Sequence, residues 1–329
     1  MPEREDKLKV GLVGTGEIAR FYAQSIKNHV HAVDLFAVSS QTPERTAAFA
    51  ESFNIPHAHS PHTDIFQSDL DALLIASASA THAPLIEEAA RHQIDTFCDK
   101  PLGVSLKEIE AALDVVNRYP IQLATGFNRR FDPAFQKVHQ QVQDGTIGTP
   151  EAILIISRDP KIPSPQEFAT PHRLLVGTTI HDLDMARFLM QDEIVSVTTQ
   201  GSWLKAMPPK TEQLDVTTVS LKFRNGGIGT IINSYRSNEG YDQRLELHGS
   251  HGCGRVENVS DTMQDVPHEA PFFVKRYATS YVEELKAFFY SLRKNQWHPN
   301  LATGADGKIA SCLSEAAIKS WQNQAAVDL

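Results

Sequence analysis

A six-residue run, Gly14-Thr15-Gly16-Glu17-Ile18-Ala19, restricts the fold of this chain more than any other feature. It follows a β-rich apolar segment, Lys9–Val13, and opens an amphipathic helical stretch from Ile18 to about Asn28. In a strand–turn–helix setting the first glycine permits the tight turn and the second lets the backbone approach a pyrophosphate. Ala19 then allows close packing of helix on strand. The helix N-terminus turns unpaired N–H groups toward the phosphates. A bare glycine pattern of this kind is weak evidence, so its weight rests on what surrounds it.

The surroundings agree. Val33–Ser39 reads as a second strand, and Pro43 starts the helical segment PERTAAFAESF from its first turn. Ala72–Ala76 (ALLIA) is apolar throughout, as a central parallel strand covered on both faces must be. Helix Pro84–His92, strand Thr96–Cys98, helix Leu106–Asn117 and strand Ile121–Thr125 continue the alternation. The pattern predicts an α/β fold with an N-terminal doubly wound parallel sheet, a dinucleotide-binding Rossmann domain spanning residues 1–126.

Beyond Gly126 the rhythm changes. A helix at Pro133–Val142, a strand at Ala152–Ser157 and a helix at Thr179–Met190 precede four closely spaced strands: Ile194–Gln200, Val216–Phe223, Ile228–Tyr235 and Arg244–Gly249. Glycine-bearing turns such as RNGG predict a mostly antiparallel open sheet. Helices Tyr281–Arg293 and Lys308–Trp321 close an α+β domain, residues 127–329, assigned to substrate binding and oligomerisation.

The net charge of -9 argues against a nucleic-acid partner, which needs an excess of Lys and Arg. No apolar run approaches the roughly 18 residues of a membrane span, and the charged start MPEREDKLKV has no apolar leader core. Cys98, Cys253 and Cys312 have neither CxxC spacing nor an even count. These features together predict a cytoplasmic protein without a membrane partner.

Cofactor choice is read at the end of the second strand, where an NAD site usually carries an acidic residue for the ribose 2′-hydroxyl. Here LFAVSSQT places Ser40 at that point, with Asp34 at the strand's other end. A hydroxyl tolerates a 2′-phosphate better than a carboxylate does, which leans slightly to NADP within an NAD(P) assignment. Arg45, on the following helix, is the cation nearest in sequence.

Long stretches of the chain, GTGEIA, DALLIASASATHAPLIEEAA, FCDKP, GFNRRFDPAF, TIHDLDMARFL, GYDQRLELHGSHG and DGKIA, resemble the glucose–fructose oxidoreductase / inositol dehydrogenase / rhizopine-catabolism (Gfo/Idh/MocA) family, most closely its inositol 2-dehydrogenase branch. The resemblance covers nearly the whole chain. It implies oxidation of a secondary hydroxyl on a cyclic polyol or sugar, by an enzyme that forms homodimers or homotetramers. The family's Glu-Lys-Pro motif matches Asp99-Lys100-Pro101, which makes Lys100 a catalytic residue that touches both cofactor and substrate. An ammonium there orients the hydroxyl and favours the alkoxide-like charge that develops as hydride leaves. His181 matches the family's catalytic histidine, whose imidazole exchanges the hydroxyl proton. Asp182 and Asp184 orient that ring or cap the helix.

The resemblance also implies a cofactor set of Gly14, Gly16, Glu17, Ile18, Ser40, Ser77, His82 and Lys100, and a substrate set of Lys100, Arg130, His181 and Tyr241. For Arg130 an ion pair at the domain junction is the alternative, and for Tyr241 a core position. No metal is expected, because the lysine supplies the positive charge. His57, His59 and His62, in HAHSPH, read as a surface loop.

The sequence departs from the family at Gly177, where the inositol dehydrogenases have an aspartate four residues before the histidine, and at Ala80, where an asparagine is usual. The family's preceding Gly-Gly is also replaced, within Pro171–Val176. An acceptor for a substrate hydroxyl is therefore missing at Gly177. Two further readings follow from that gap: an enzyme whose substrate is not inositol, or a non-catalytic dinucleotide-binding regulator like the family's transcriptional co-repressor branch.

Overall fold

Six parallel strands form the first sheet, in the order β3-β2-β1-β4-β5-β6. They are β1 (Leu8–Val13), β2 (Val33–Ser39), β3 (His57–His59), β4 (Ala72–Ile75), β5 (Asp95–Asp99) and β6 (Leu123–Gly126), with helices α1 (Glu17–His29), α2 (Pro43–Phe53), α3 (His82–Arg91) and α4 (Leu106–Val116) between them. The computed structural model describes residues 7–160, 163, 170–204, 212–238, 240–258 and 271–329. All four residues of β4 are fully buried, as their unbroken apolar run requires. Truncating a leucine such as Leu73 there costs about 2–5 kcal/mol. Strand order reverses at β1/β4, so the crevice at the carboxyl ends of those two strands is where such a sheet takes a ligand.

The chain divides into two compact units, Met1–Phe131 with Met263–Lys308, and Asp132–Thr262 with Ile309–Leu329. The first unit thus takes in α7 (Phe272–Lys294), far beyond the 126/127 division expected from the sequence. Helical periodicity says which face of a helix is apolar, not which sheet receives it. Tyr281 of α7 meets Phe21 and Tyr22 of α1 edge-on, with ring centroids 5.6 and 6.1 Å apart, and Phe288 meets Phe97 of β5 at 5.7 Å. The helix α7 begins nine residues before the expected Tyr281, because Tyr277 leaves helical geometry (φ -121°, ψ 19°) and breaks the repeat on which the reading depended. The chain then enters α8 (Gly304–Asn323) through a reciprocal cap: Thr303 N–H donates to Asp306 Oδ2 at 2.9 Å, and Asp306 N–H to Thr303 Oγ1 at 3.1 Å.

In the second unit seven strands run in the order β12-β11-β7-β10-β9-β8-β13. The strands are β7 (Pro150–Arg158), β8 (Ile194–Ser202), β9 (Val216–Phe223), β10 (Ile228–Ser234), β11 (Asp242–Gly249), β12 (Cys253–Val256) and β13 (Val327–Asp328). Every neighbouring pair is antiparallel except β7 with β10. Helices α5 (Pro133–Gln143) and α6 (Ile180–Met190) lie against β12 and β7 respectively. Alternation is strict in β9, where Thr217, Val219, Leu221 and Phe223 are buried while Thr218, Ser220 and Lys222 face solvent. Asp132 caps α5 by accepting from the N–H groups of Ala134 and Phe135.

Two sequence expectations are corrected. His57–His59 is strand β3, paired with Ala37–Ser39, and not loop; three residues are too few to show a period. The helix expected to begin at Thr179 is preceded by a π-helical turn, Leu174–Thr179, which sequence periodicity does not distinguish from ordinary helix. Among the described residues no helix is long and apolar enough to cross a membrane.

Candidate active site

The turn after β1 carries the strongest backbone constraint. Gly14 adopts φ +120°, and a Cβ there would lie 2.3 Å from the carbonyl oxygen of Ala76, the residue following β4. Glycine is therefore required at this position, and its N–H donates to Ser39 O at 2.8 Å, locking the turn to β2. Gly16 differs. It is the residue before α1, has no side-chain cap, and a Cβ there would meet nothing within 4 Å. The first backbone bond of the helix runs from Arg20 N–H to Gly16 O, so the earlier N–H groups face an open space at the positive end of the helix. Glu17 is exposed and Ile18 half-buried at that end, while Ala19 is wholly buried against the sheet. Open backbone, uncapped N–H groups and a tight approach to β4 fit the diphosphate of a dinucleotide.

Ser40 is buried at the end of β2. Its hydroxyl lies 2.6 Å from Thr46 Oγ1 and accepts from Thr42 N–H at 3.2 Å, which stitches the turn into α2. Arg45 is exposed on the first turn of α2. Ser77 follows β4, with its hydroxyl 2.6 Å from Thr81 Oγ1. The ring of His82 lies between two carbonyl oxygens, Pro101 O at 2.7 Å from Nδ1 and Ser77 O at 3.1 Å from Nε2. Buried at the start of α3, this histidine ties the loop after β4 to the turn after β5.

That second turn holds Lys100. It leaves the end of β5 half-buried, and its N–H donates to Asp99 Oδ1 at 3.0 Å. Burial raises the Asp99 carboxyl above the usual carboxylate range, against the opposing pull of Lys100 and His82. Burial is also the main cause that holds the phenols of Tyr22 and Tyr281 well above their usual value, with the negative charge of Asp99 adding to it. The first unit therefore brings Gly14, Gly16, Ser77, His82 and Lys100 to the carboxyl ends of adjacent strands β1, β4 and β5.

Arg130 sits apart from that group, on the 3-10 turn Asn128–Phe131 after β6. Its side chain is 6% exposed and lies 3.5 Å from Asp306 at the start of α8. Beside it Asn128 Nδ2 donates to Ser280 Oγ at 3.0 Å, and the guanidinium of Arg129 lies over the Tyr277 ring at 5.5 Å.

In the second unit His181 is the second residue of α6 and half-buried. Its neighbour Asp182 is wholly buried and points its carboxylate at the sheet. It accepts from Ser157 Oγ of β7 and from Asn233 Nδ2 of β10, both at 2.7 Å. Asn233 in turn accepts from Thr179 Oγ1 at 2.6 Å. This network pins the start of α6 to the ends of two strands. Tyr241, half-buried, precedes β11 at the same end of the sheet, where Gln243 pairs with Ser157. Sequence reasoning passed over Ser157, Asn233 and Thr179. Their signal was polar side chains closing otherwise apolar strands, which marks a site only once pairing is known.

Gly177 lies within the π-helical turn, half-buried. A Cβ there would meet only Arg173 Cγ, at 3.9 Å.

Residues 8–127 match the family described as an oxidoreductase family with an NAD-binding Rossmann fold, and residues 135–254 match the GFO/IDH/MocA C-terminal domain. The chain is 35% identical over 332 residues to myo-inositol 2-dehydrogenase of Thermotoga maritima, covering 98% of each. It is 34% identical over 323 residues to inositol 2-dehydrogenase of Rhizobium meliloti, covering 95% of this chain and 96% of that one. Among solved structures, a myo-inositol dehydrogenase from Corynebacterium glutamicum superposes with a TM-score of 0.87 at 31% identity, covering 98% of this chain and 99% of that one. With both domains matched in order and relatives aligned from end to end, the chain belongs to the GFO/IDH/MocA oxidoreductase family.

Proposed function

We propose that the protein reversibly oxidises a secondary hydroxyl of a cyclic polyol or sugar, in the manner of an inositol 2-dehydrogenase. The observation that carries this reading is the placement of Lys100 at the end of β5, two strands along from the Gly14–Gly16 cradle that follows β1, with β4 between them. A charged donor beside a diphosphate site is what an alcohol dehydrogenation without metal requires.

A nicotinamide cofactor held by the Gly14–Gly16 turn would supply the acceptor for the hydride that leaves the C–H of the hydroxyl-bearing carbon. Lys100 donates a hydrogen bond to the substrate oxygen and stabilises the charge that grows there. His181 takes the hydroxyl proton, and returns it when the carbonyl is reduced. Asp182, Ser157 and Asn233 hold the turn that carries His181, so they position the base and do not touch the substrate. Arg130 and Tyr241 complete the proposed substrate set, and Glu17, Ile18, Ser77 and His82 line or brace the cofactor set.

The cofactor preference belongs to the end of β2. With Ser40 there in place of a carboxylate, a 2′-phosphate meets no like charge at the strand end itself, and exposed Arg45 supplies a cation on the next turn, beside Glu44. Both NAD and NADP are accepted on this reading, with a modest lean to NADP. The exposed face of the second sheet, which carries Leu154 and Ile228, is proposed to join copies of the chain into a dimer or tetramer.

A second reading, a regulator that binds dinucleotide without turnover, is favoured by one observation: Gly177 supplies no acceptor although the position has room for one. The test is reduced-cofactor absorbance with NAD and NADP separately, against a panel of inositols and aldoses. Turnover that collapses in Lys100→Ala and in His181→Ala, each still binding cofactor, supports the enzyme. Cofactor binding with no turnover across the panel favours the regulator.

A further inference from the structure

The hairpin formed by β11 and β12 gathers three different donor groups on the solvent face of the second sheet. Glu246 and His248 are two residues apart on β11 and so share a face, and Cys253 of β12 pairs directly with His248. Their candidate ligand atoms all lie within 4.8 Å of one another. His248 Nε2 is 2.5 Å from Glu246 Oε1 and 3.7 Å from Cys253 Sγ. Among the described residues this is the one group of three such side chains close enough to share an ion. It lies on neither the β1–β4 crevice nor the α6 turn, and no residue of it enters the proposed reaction.

We propose that Glu246, His248 and Cys253 bind a divalent transition-metal ion of the zinc class, with water at the fourth position. The donor mixture is the first reason. One imidazole, one thiolate and one carboxylate suit a borderline-soft cation, whereas calcium and magnesium take oxygen alone. Spacing is the second. With metal–nitrogen and metal–sulfur bonds of about 2.0 and 2.3 Å, a tetrahedral ion sets its nitrogen and sulfur about 3.5 Å apart. The observed 3.7 Å is close to that, and the carboxylate needs to retreat from the imidazole by less than about 1 Å. The third reason is the outer partner. Arg255, opposite Glu246, donates from Nε to Glu246 Oε2 at 2.7 Å, which fixes the carboxylate and leaves Oε1 for the ion.

Binding replaces the His248–Glu246 hydrogen bond with bonds from both side chains to the ion. The ion would clip β12, a four-residue edge strand, to β11. It is a structural clamp and takes no part in hydride transfer.

The experiment is titration of chelator-treated, reduced full-length protein with cobalt(II), followed by displacement with zinc. One cobalt per chain is expected, with a thiolate-to-cobalt charge-transfer band in the near ultraviolet that is lost in Cys253→Ser and retained in Cys312→Ser. His248→Gln should weaken zinc affinity about tenfold or more. Zinc should raise the melting temperature of the wild type and leave that of Cys253→Ser unmoved. Absence of the band, its persistence in Cys253→Ser, or equal zinc affinity in wild type and His248→Gln each overturns the site. Dehydrogenase activity is expected to be the same with and without the ion, so loss of turnover on chelation would also overturn the clamp.

Discussion

Asn233 donates from Nδ2 to Asp182 Oδ2 at 2.7 Å, and neither side chain is exposed to solvent. The bond joins the penultimate residue of β10 to the first turn of α6, one residue from His181. Replacing Asn233 by Ala leaves a buried carboxylate short of a donor, at a cost of about 1–3 kcal/mol. Urea denaturation should show that loss, and kcat should fall while cofactor affinity stays at the wild-type value. Asp182→Asn keeps the shape of the network and should lose less on both counts. Unchanged kcat in Asn233→Ala would remove the positioning role assigned to this pair.

The two glycines of the first turn should respond in opposite ways. Gly14→Ala places a methyl 2.3 Å from a backbone carbonyl in a positive-φ conformation, so it should lower the melting temperature and abolish cofactor binding together. Gly16→Ala meets nothing in the protein and has an ordinary φ of -77°. Its melting temperature should match the wild type, while cofactor affinity drops roughly tenfold or more because the methyl occupies the space of the diphosphate. Fluorescence titration with reduced cofactor separates the two. Equal affinity in Gly16→Ala and wild type would move the diphosphate elsewhere.

How far these features are legible in the sequence depends on what a residue's neighbours are. Strand β9 has its observed bounds in the residue pattern, because strict alternation of buried and exposed positions declares itself. The glycine turn is legible for the same reason: its demands come from the backbone, and only one residue type meets them at Gly14. Strands β3, β12 and β13, of three, four and two residues, owe their existence to partners in other parts of the chain. Ser157 and Asn233 look like outward polar positions until the parallel pairing of β7 with β10 puts them side by side. Cross-strand sets such as Glu246, His248 and Cys253 have no spacing rule in one dimension, since the turn length and the register create them.

Gly177 offers a test of substrate choice. The space around its Cβ is open, so Gly177→Asp should fold with a melting temperature close to the wild type. A carboxylate there adds an acceptor for a polyol hydroxyl, and kcat/KM for inositols should rise by about ten- to a hundredfold, in line with a charged hydrogen bond of about 1.5–3 kcal/mol. Steady-state rates of both proteins on the same inositol panel decide it. An unchanged preference would place Gly177 outside the substrate's reach.

Mild acid should loosen the fold. His59, His62, His172 and His298 are each held below the ordinary imidazole range, mainly by burial. A folded-state value below the unfolded one gives stability that is present above the unfolded value and is lost as pH falls through the folded one. Asp99 has the opposite sign: raised by burial, it gives stability that is present below the unfolded carboxylate value and lost as pH rises through the folded one. The histidines dominate from about pH 6.5 downward, where unfolded imidazoles gain their protons. Melting temperature should therefore drop between about pH 7.5 and about pH 5.5, and the drop should shrink in His62→Gln. A flat profile in the wild type would contradict the assignment.

The aromatic seam between α1 and α7 also bears on how the chain is made. Phe21 and Tyr22 leave the ribosome early, but the Tyr281 ring that covers them is encoded some two hundred and sixty residues later. During synthesis the parallel sheet can assemble with its α1 flank bare, and an intervening unit of more than a hundred residues must emerge before that flank is closed. Nascent chains of the first unit are thus exposed at Phe21 through most of translation, and a factor that shields growing polypeptides would find its binding surface there.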